Sequence, residues 1–254
     1  MHCLGNKTKK YFLKILKQLL ALLLIILTWL PGKSQSDYSD AELLAIRSQS
    51  VISNYQGYKV ADILNGKDYT IKHLHAINSQ LFMGLSPSRG TLVYDGVLLH
   101  DIEMQYDLFN QEFVILLESD RISRYVSIDQ QKISNFSFAG FNFIYIENDN
   151  ALEDGIYQVA FKGGKSTLFI KRSKNMTSTA KSDALIRYIP VNKYFVKNNN
   201  GTFSISSKKS LLSAFNDSEE LKSILKIHKI KFSQKKIEQG LITAITLYDS
   251  SNNE

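Results

Sequence analysis

Cysteine, tryptophan and proline are nearly absent from this sequence of 254 residues, which holds one Cys, one Trp and three Pro. The single cysteine, Cys3, has no partner in the chain, so no intrachain disulfide forms and non-covalent contacts alone must hold the fold. No Cys-x-x-Cys pair and no His-Glu-x-x-His run occurs, which removes the commonest zinc signatures. A bilayer-spanning helix needs roughly 20 apolar residues. The run from Leu19 to Leu30 has only twelve. Acid is missing from the start of the chain. Residues 1–34 carry six of the 31 Lys and Arg and none of the 24 Asp and Glu.

That last absence has a reading. Lys7, Lys9, Lys10, Lys14 and Lys17 precede or enter the apolar run, and Pro31 and Gly32 close it. A basic start, a short apolar stretch and small residues are the three parts of a secretory signal peptide. Gly32 and Ser34 fit the −3 and −1 positions, so cleavage is expected after Ser34. Cys3 precedes the apolar run and is therefore no lipoprotein cysteine. Removing residues 1–34 leaves 25 Lys and Arg against 24 acids. The high isoelectric point thus belongs largely to the signal and gives no support to nucleic-acid binding. The expected location is periplasmic or extracellular, with no transmembrane segment after cleavage.

The mature chain divides by hydrophobic period. Residues 35–59 read as an N-terminal arm or weak helix, in which Leu43, Leu44, Ile46, Val51 and Ile52 make a loose stripe. Residues 60–206 read as an antiparallel β domain. Leu92-Val93-Tyr94 and Val97-Leu98-Leu99 flank Asp95-Gly96, a pair suited to a two-residue hairpin turn. Further hairpins are expected around Asn110-Gln111-Glu112, Gly163-Gly164 and Asn198-Asn199-Asn200-Gly201. Residues 207–254 read as helical. Leu211, Leu212 and Phe215 form one face, Leu221, Ile224, Leu225 and His228 a second, and Ile237, Leu241, Ala244, Ile245 and Tyr248 a third. Asp217 with Glu220 and, further on, Ser233 are the expected helix caps. The fold class is α+β: predominantly antiparallel β, as a sandwich or open barrel, with C-terminal amphipathic helices packed on the sheet.

Several stretches together resemble a family of uncharacterised secreted proteins from Bacteroidetes-type bacteria. They are Asn65-Gly66-Lys67-Asp68-Tyr69, Gly90 to Gly96, Gln105-Tyr106-Asp107-Leu108, Gly155-Ile156-Tyr157 and Lys208-Lys209-Ser210-Leu211-Leu212. The resemblance covers most of residues 60–250. It implies export and a common β-rich architecture, and it supplies no catalytic residue.

Motifs with chemical potential reduce mostly to structure. Lys162-Gly163-Gly164-Lys165-Ser166-Thr167 lacks the first glycine of a phosphate-binding loop, since Val159 stands there, and a strand follows instead of a helix. It reads as a hairpin turn. His73-Leu74-His75 offers two imidazoles, whereas zinc takes three or four ligands. His100 and His228 fall on apolar stripes and read as core or half-buried. Gly84-Leu85-Ser86-Pro87-Ser88 misses the second glycine of a nucleophile elbow and reads as a loop. Phe136, Phe138, Phe141 and Phe143 read as core.

The remaining candidates are carboxylates. On an extended strand from Leu98 to Leu108, Asp101, Glu103, Gln105 and Asp107 share one face, with alternate residues roughly 6.6 Å apart. Paired carboxyl groups near that separation suit glycoside hydrolysis. Asp101, Glu103 and Asp107 are therefore the catalytic candidates, and any solvated strand face carries such acids as well. No cofactor and no metal is expected. The favoured expectation is a non-enzymatic binding or structural module for a protein or glycan of the cell envelope. The alternative is an envelope hydrolase using those carboxylates.

One outcome is directly measurable. The exported protein should begin at or within a few residues of Gln35, as read by intact mass. Recovery of the full-length chain from the membrane fraction would refute cleavage.

Overall fold

Turn chemistry sets the architecture of this chain, seen in a computed structural model that describes residues 66–73, 75–118, 123–178 and 186–251. All of these belong to the compact unit Ile46–Glu254. The export signal and the arm over residues 35–59 lie outside the described residues. The first strands are β1 (Lys67–Asp68), β2 (Ser88–Tyr94), β3 (Val97–Asp107), β4 (Glu112–Glu118) and β5 (Ser123–Ser127). Next come β6 (Ile133–Phe138), β7 (Phe141–Ile146), β8 (Gly155–Lys162) and β9 (Ser166–Lys171). After β10 (Lys174–Ser178) and β11 (Ile186–Pro190), β12 (Lys193–Asn198) and β13 (Gly201–Ile205) end the strands. The helices are α1 (Lys208–Ala214), α2 (Glu219–Ile227) and α3 (Ile237–Ser251).

Eleven strands form one antiparallel sheet in the order β1-β5-β4-β3-β2-β6-β7-β8-β9-β12-β13, and β10 and β11 pair separately. The sheet stays open, with β1 and β13 at its edges. The α+β class, predominantly antiparallel β with C-terminal helices, is the one adopted. Asp95 and Gly96 have φ of 50° and 77° between β2 and β3, as a primed two-residue turn requires. Ala139-Gly140 repeats the geometry between β6 and β7, with φ of 52° and 80°.

The sheet coils strongly. Strands β4 and β6 are separated by β3 and β2, which in a flat sheet places them about 14 Å apart. The Phe113 and Phe136 rings nevertheless meet at 4.4 Å between centroids. Coiling lets the inner faces of β2–β7 close on themselves around one aromatic core. Phe136 and Phe143 stack at 4.7 Å, and Phe82 meets Phe143 edge-on at 5.3 Å. Phe136, Phe138 and Phe143 are buried, and Phe141 packs against them half-buried.

A second core lies where the helices cover the other half of the sheet. Leu168, Val196 and Ile205 pack against Leu211, Leu221, Leu225, Leu241 and Ile245. Helix α1 starts with a capping box between Ser207 and Ser210. Helix α2 is capped by Ser218, whose hydroxyl accepts from the Leu221 amide at 3.3 Å. The expected cap, Asp217, instead sits one residue earlier in the left-handed region with φ 54°. Ser233 also falls short of its expected role, because α3 begins at Ile237 after a turn closed by the Lys236 amide on the Ser233 carbonyl. No helix of the described residues is long and apolar enough to cross a membrane.

The primed turn can be tested at one residue. Nothing lies within 4 Å of a Cβ added at Gly96, so its φ alone makes valine costly there. Gly96→Val should destabilise by about 1–2 kcal/mol, the cost of a left-handed L-residue. Urea unfolding measures it, and a neutral effect would contradict the turn.

Candidate functional site

The candidate carboxylates of β3 do three different jobs. A bulge interrupts the pairing of β2 with β3, because Gly90 faces Ile102 while Leu92 faces Leu99. Two residues of β3, His100 and Asp101, thus oppose one of β2, Thr91. Asp101 absorbs the extra residue with φ 56°. One inserted residue exchanges the two faces of everything before it. Leu98 and His100 therefore lie exposed, and Leu99 joins Ile102, Met104 and Tyr106 in the core, against the uninterrupted alternation expected. Arg89 bridges Asp101 at 2.5 Å and Glu103 at 3.4 Å on the surface. An exposed cluster of this kind contributes little to stability.

Asp107 is fully buried and saturated with donors. Its Oδ2 accepts from the Tyr69 hydroxyl at 2.7 Å, the Gln80 amide at 2.5 Å and the Asn110 amide at 2.8 Å. Its Oδ1 accepts from the backbone N–H groups of Phe109 and Asn110, both at 2.9 Å. Gln80 Oε1 in turn accepts from the Tyr188 hydroxyl at 3.0 Å. The backbone of Tyr188 is held in both directions by Asn78. Lys174 closes the network on the carbonyls of Ser79 and Leu81. No lone pair of Asp107 is left for a substrate proton, so its role is to join segments.

The turn Gly163-Gly164-Lys165 does cradle an anion, and the anion is internal. Asp249 of α3 accepts from the N–H groups of Gly164 at 2.7 Å and Lys165 at 3.1 Å, and from the Ser166 hydroxyl at 3.0 Å. A Cβ on Gly163 would lie 1.9 Å from Asp249 Oδ2, which explains the glycine.

The other motifs scatter. His73 and His75 lie in a turn region rather than on a strand, and His73 meets Tyr188 at 6.5 Å. His100 and His228 are both exposed, against expectation. His228 ends α2, where the apolar face has already passed. Ser86 lies exposed in the loop before β2. No group of three His, Cys, Asp or Glu among the described residues is placed to hold a metal.

A cleft of about 690 Å³ is the concave feature of interest. It is lined by Asp129, Gln130 and Gln131 of the β5–β6 connection and by Lys67, Gln111, Tyr145, Asp154 and Lys171. Part of this lining is locked. Gln111 donates to the carbonyls of Leu108 at 2.7 Å and Arg172 at 3.0 Å and accepts from the Tyr106 hydroxyl at 2.9 Å. Gln130 donates to the Gln111 carbonyl. Lys171 donates to the Asp154 carbonyl at 2.9 Å and lies 5.0 Å from the Tyr157 ring. Burial lowers its ammonium pKa. Burial, and then the charges of Asp154 and Glu147, raise the pKa of the Tyr145 hydroxyl. The side chains of Gln131 and Tyr145, which also line the cleft, make no hydrogen bond to another described residue.

Sequence reasoning did not find this cleft. Its residues come from six separated stretches, and no local motif joins them. Comparison with protein-family models, with curated proteins and with solved structures finds no match.

The buried phenols make alkaline pH informative. Burial raises the pKa of Tyr69, Tyr106 and Tyr157, the last to about 12. The unfolded chain releases these protons near the ordinary value of about 10 while the native state keeps them, so stability is complete below that value and falls as pH rises. Lys171 and Lys174, with lowered pKa, act in the opposite sense below about 10.5. The urea midpoint should therefore fall between about pH 10.5 and about pH 12. A constant midpoint would mean that the phenols ionise freely in the native fold.

Proposed function

We propose that this chain is an exported, non-enzymatic binding module of the cell envelope, and that its cleft takes a neutral, hydroxyl-rich ligand such as a glycan segment. The observation that carries the reading is the cleft itself, whose mixed polar and apolar lining includes Gln131 and Tyr145, neither of them hydrogen-bonded through its side chain to another described residue. Amides donate and accept at once, which suits sugar hydroxyls, and a tyrosine ring supplies an apolar face with a polar tip. Lys67 and Lys171 offset Asp129 and Asp154 in the lining, so no single charge sign favours an ionic ligand. Locked groups around a few free ones are the arrangement of a preformed site.

Export rests on the basic start, the short apolar run and Gly32 with Ser34, and on the likeness to secreted Bacteroidetes-type proteins. The hydrolase alternative draws no support from the geometry of Asp101, Glu103 and Asp107. Two of them pair with one arginine and the third is saturated.

The test is binding of envelope glycan fragments by calorimetry, with Tyr145→Phe, which keeps the ring packed on the core, and Gln131→Ala as variants. Each should weaken binding about tenfold or more, roughly the loss of 1.4 kcal/mol, with an unchanged Tm. Undiminished binding in both variants would remove the cleft from the proposal. Turnover of any fragment by the wild type, lost in Asp101→Asn or Glu103→Gln, would overturn the non-enzymatic reading.

A further inference from the structure

The α2–α3 corner concentrates positive charge around an exposed apolar side chain. From Leu221 to Lys236 the chain carries Lys222, Lys226, Lys229, Lys231, Lys235 and Lys236, and no acid. Lys222 pairs with Glu219 at 2.7 Å. The other five are exposed and make no ion pair with a described residue. Only Lys226 lies in the last turn of α2, where the helix dipole favours a cation. The remaining four sit in the connection to α3, beyond reach of that explanation.

Ile227 stands within this charge. It is 69% exposed, more than any other large apolar side chain of the described residues, and Lys226 and Lys229 flank it. Its neighbours Ile230 and Phe232 turn inward and pack on the helical core. Helix α2 is also polarised along its length, with Glu219 and Glu220 in its first turn and Lys226 in its last. The nine residues place these ends about 12 Å apart, so the acids do not mask the corner.

We infer that this corner docks on the surface of an anionic phospholipid membrane. Three features favour that occupant over a nucleic acid or an acidic protein. The charges are all lysines on flexible stems, which answer a diffuse negative field, whereas arginine forks would mark recognition of individual phosphates. An exposed isoleucine among them gives an apolar residue to enter the headgroup boundary. No exposed Phe, Tyr or Trp lies in the segment to stack on bases. The inference is independent of the cleft and its ligand. Loss of glycan binding leaves it standing, and its own failure leaves the cleft standing.

Cosedimentation of the protein recovered after export tests it. The vesicles contain phosphatidylcholine alone, or phosphatidylcholine and phosphatidylglycerol in equal parts. The protein should partition onto the anionic vesicles, remain in solution with the neutral ones, and be released by salt. The double variant Lys229→Gln/Lys231→Gln should lower partitioning about tenfold or more. Ile227→Ser should lower it several-fold at unchanged charge while leaving any retention on heparin unaltered. All three positions are exposed, so far-UV spectrum and Tm should match the wild type. Equal binding to both vesicle types, no binding, or binding unaffected by these variants would overturn the inference. Retention on heparin or DNA without vesicle binding would overturn it in favour of a polyanion partner.

Discussion

A carboxylate shut away from water is tolerable only when the protein replaces every lost hydrogen bond, and Asp107 meets that requirement with groups drawn from three places. Tyr69 and Gln80 come from the segment before β2, Phe109 and Asn110 from the β3–β4 turn, and Tyr188 reaches the site through Gln80. The segment around Tyr69 has only a small apolar contact of its own, with Leu81 and Val114. The β10–β11 hairpin is a two-stranded piece outside the main sheet, and such pieces are marginal alone. Both are tied to the sheet by a few backbone bonds, such as Tyr69 N–H to the Tyr125 carbonyl and Lys174 N–H to the Leu108 carbonyl, and the cost of leaving Asp107 short of donors adds to these. The coiled sheet and its aromatic core provide the dry environment that makes the constraint strict.

The sequence exposes the turns well and the faces of β3 poorly, for a definite reason. Asp95-Gly96 and Gly163-Gly164 announce themselves through local backbone requirements, and the strands on either side follow. The phenylalanines of β6 and β7 likewise declare a core. The bulge at Asp101 has no such mark, because an aspartate in the left-handed region looks like any polar strand residue. A single inserted residue then moves Leu98 and His100 to the surface and Leu99 to the interior. The β10–β11 hairpin escaped notice because Lys174-Asn175-Met176-Thr177-Ser178 shows no alternation, being stabilised from outside by Lys174 and Tyr188. The caps at Asp217 and Ser233 miss for a similar reason. Ser218 offers the same chemistry one residue later, and the chain before α3 turns first.

The cleft was illegible because it is a product of coiling. Lys67, Gln111, Gln131, Tyr145, Asp154 and Lys171 approach one another only once the short β5–β6 connection crosses strands that a flat sheet would hold far apart. No spacing rule along the chain encodes that. The basic corner, by contrast, is plain in composition from Leu221 to Lys236. Its meaning needed the structure, which puts Ile227 outside and Ile230 inside.

Three acids serve as pins in a described fold that has no disulfide. Asp107 fastens the segment before β2 and, through Gln80, the β10–β11 hairpin. Asp249 fastens the end of α3 to the β8–β9 turn. Glu238 fastens the start of α3 by a two-pronged pair with Arg172, 2.7 Å on each prong, and Arg172 also donates to Gln158 at 2.8 Å. Each partner set supplies oriented donors from backbone, amide or guanidinium, the geometry in which charge-assisted bonds are strongest. Of the three acids singled out from sequence, only Asp107 is such a pin, while Asp101 and Glu103 share Arg89 at the surface. An acid held by several fixed donors has its lone pairs taken up by the fold. That requirement for holding sub-elements together is opposite to what a general acid needs. Among the described residues, groups without such fixed partners include Gln131 and Tyr145 in the cleft lining and the lysines of the α2–α3 corner.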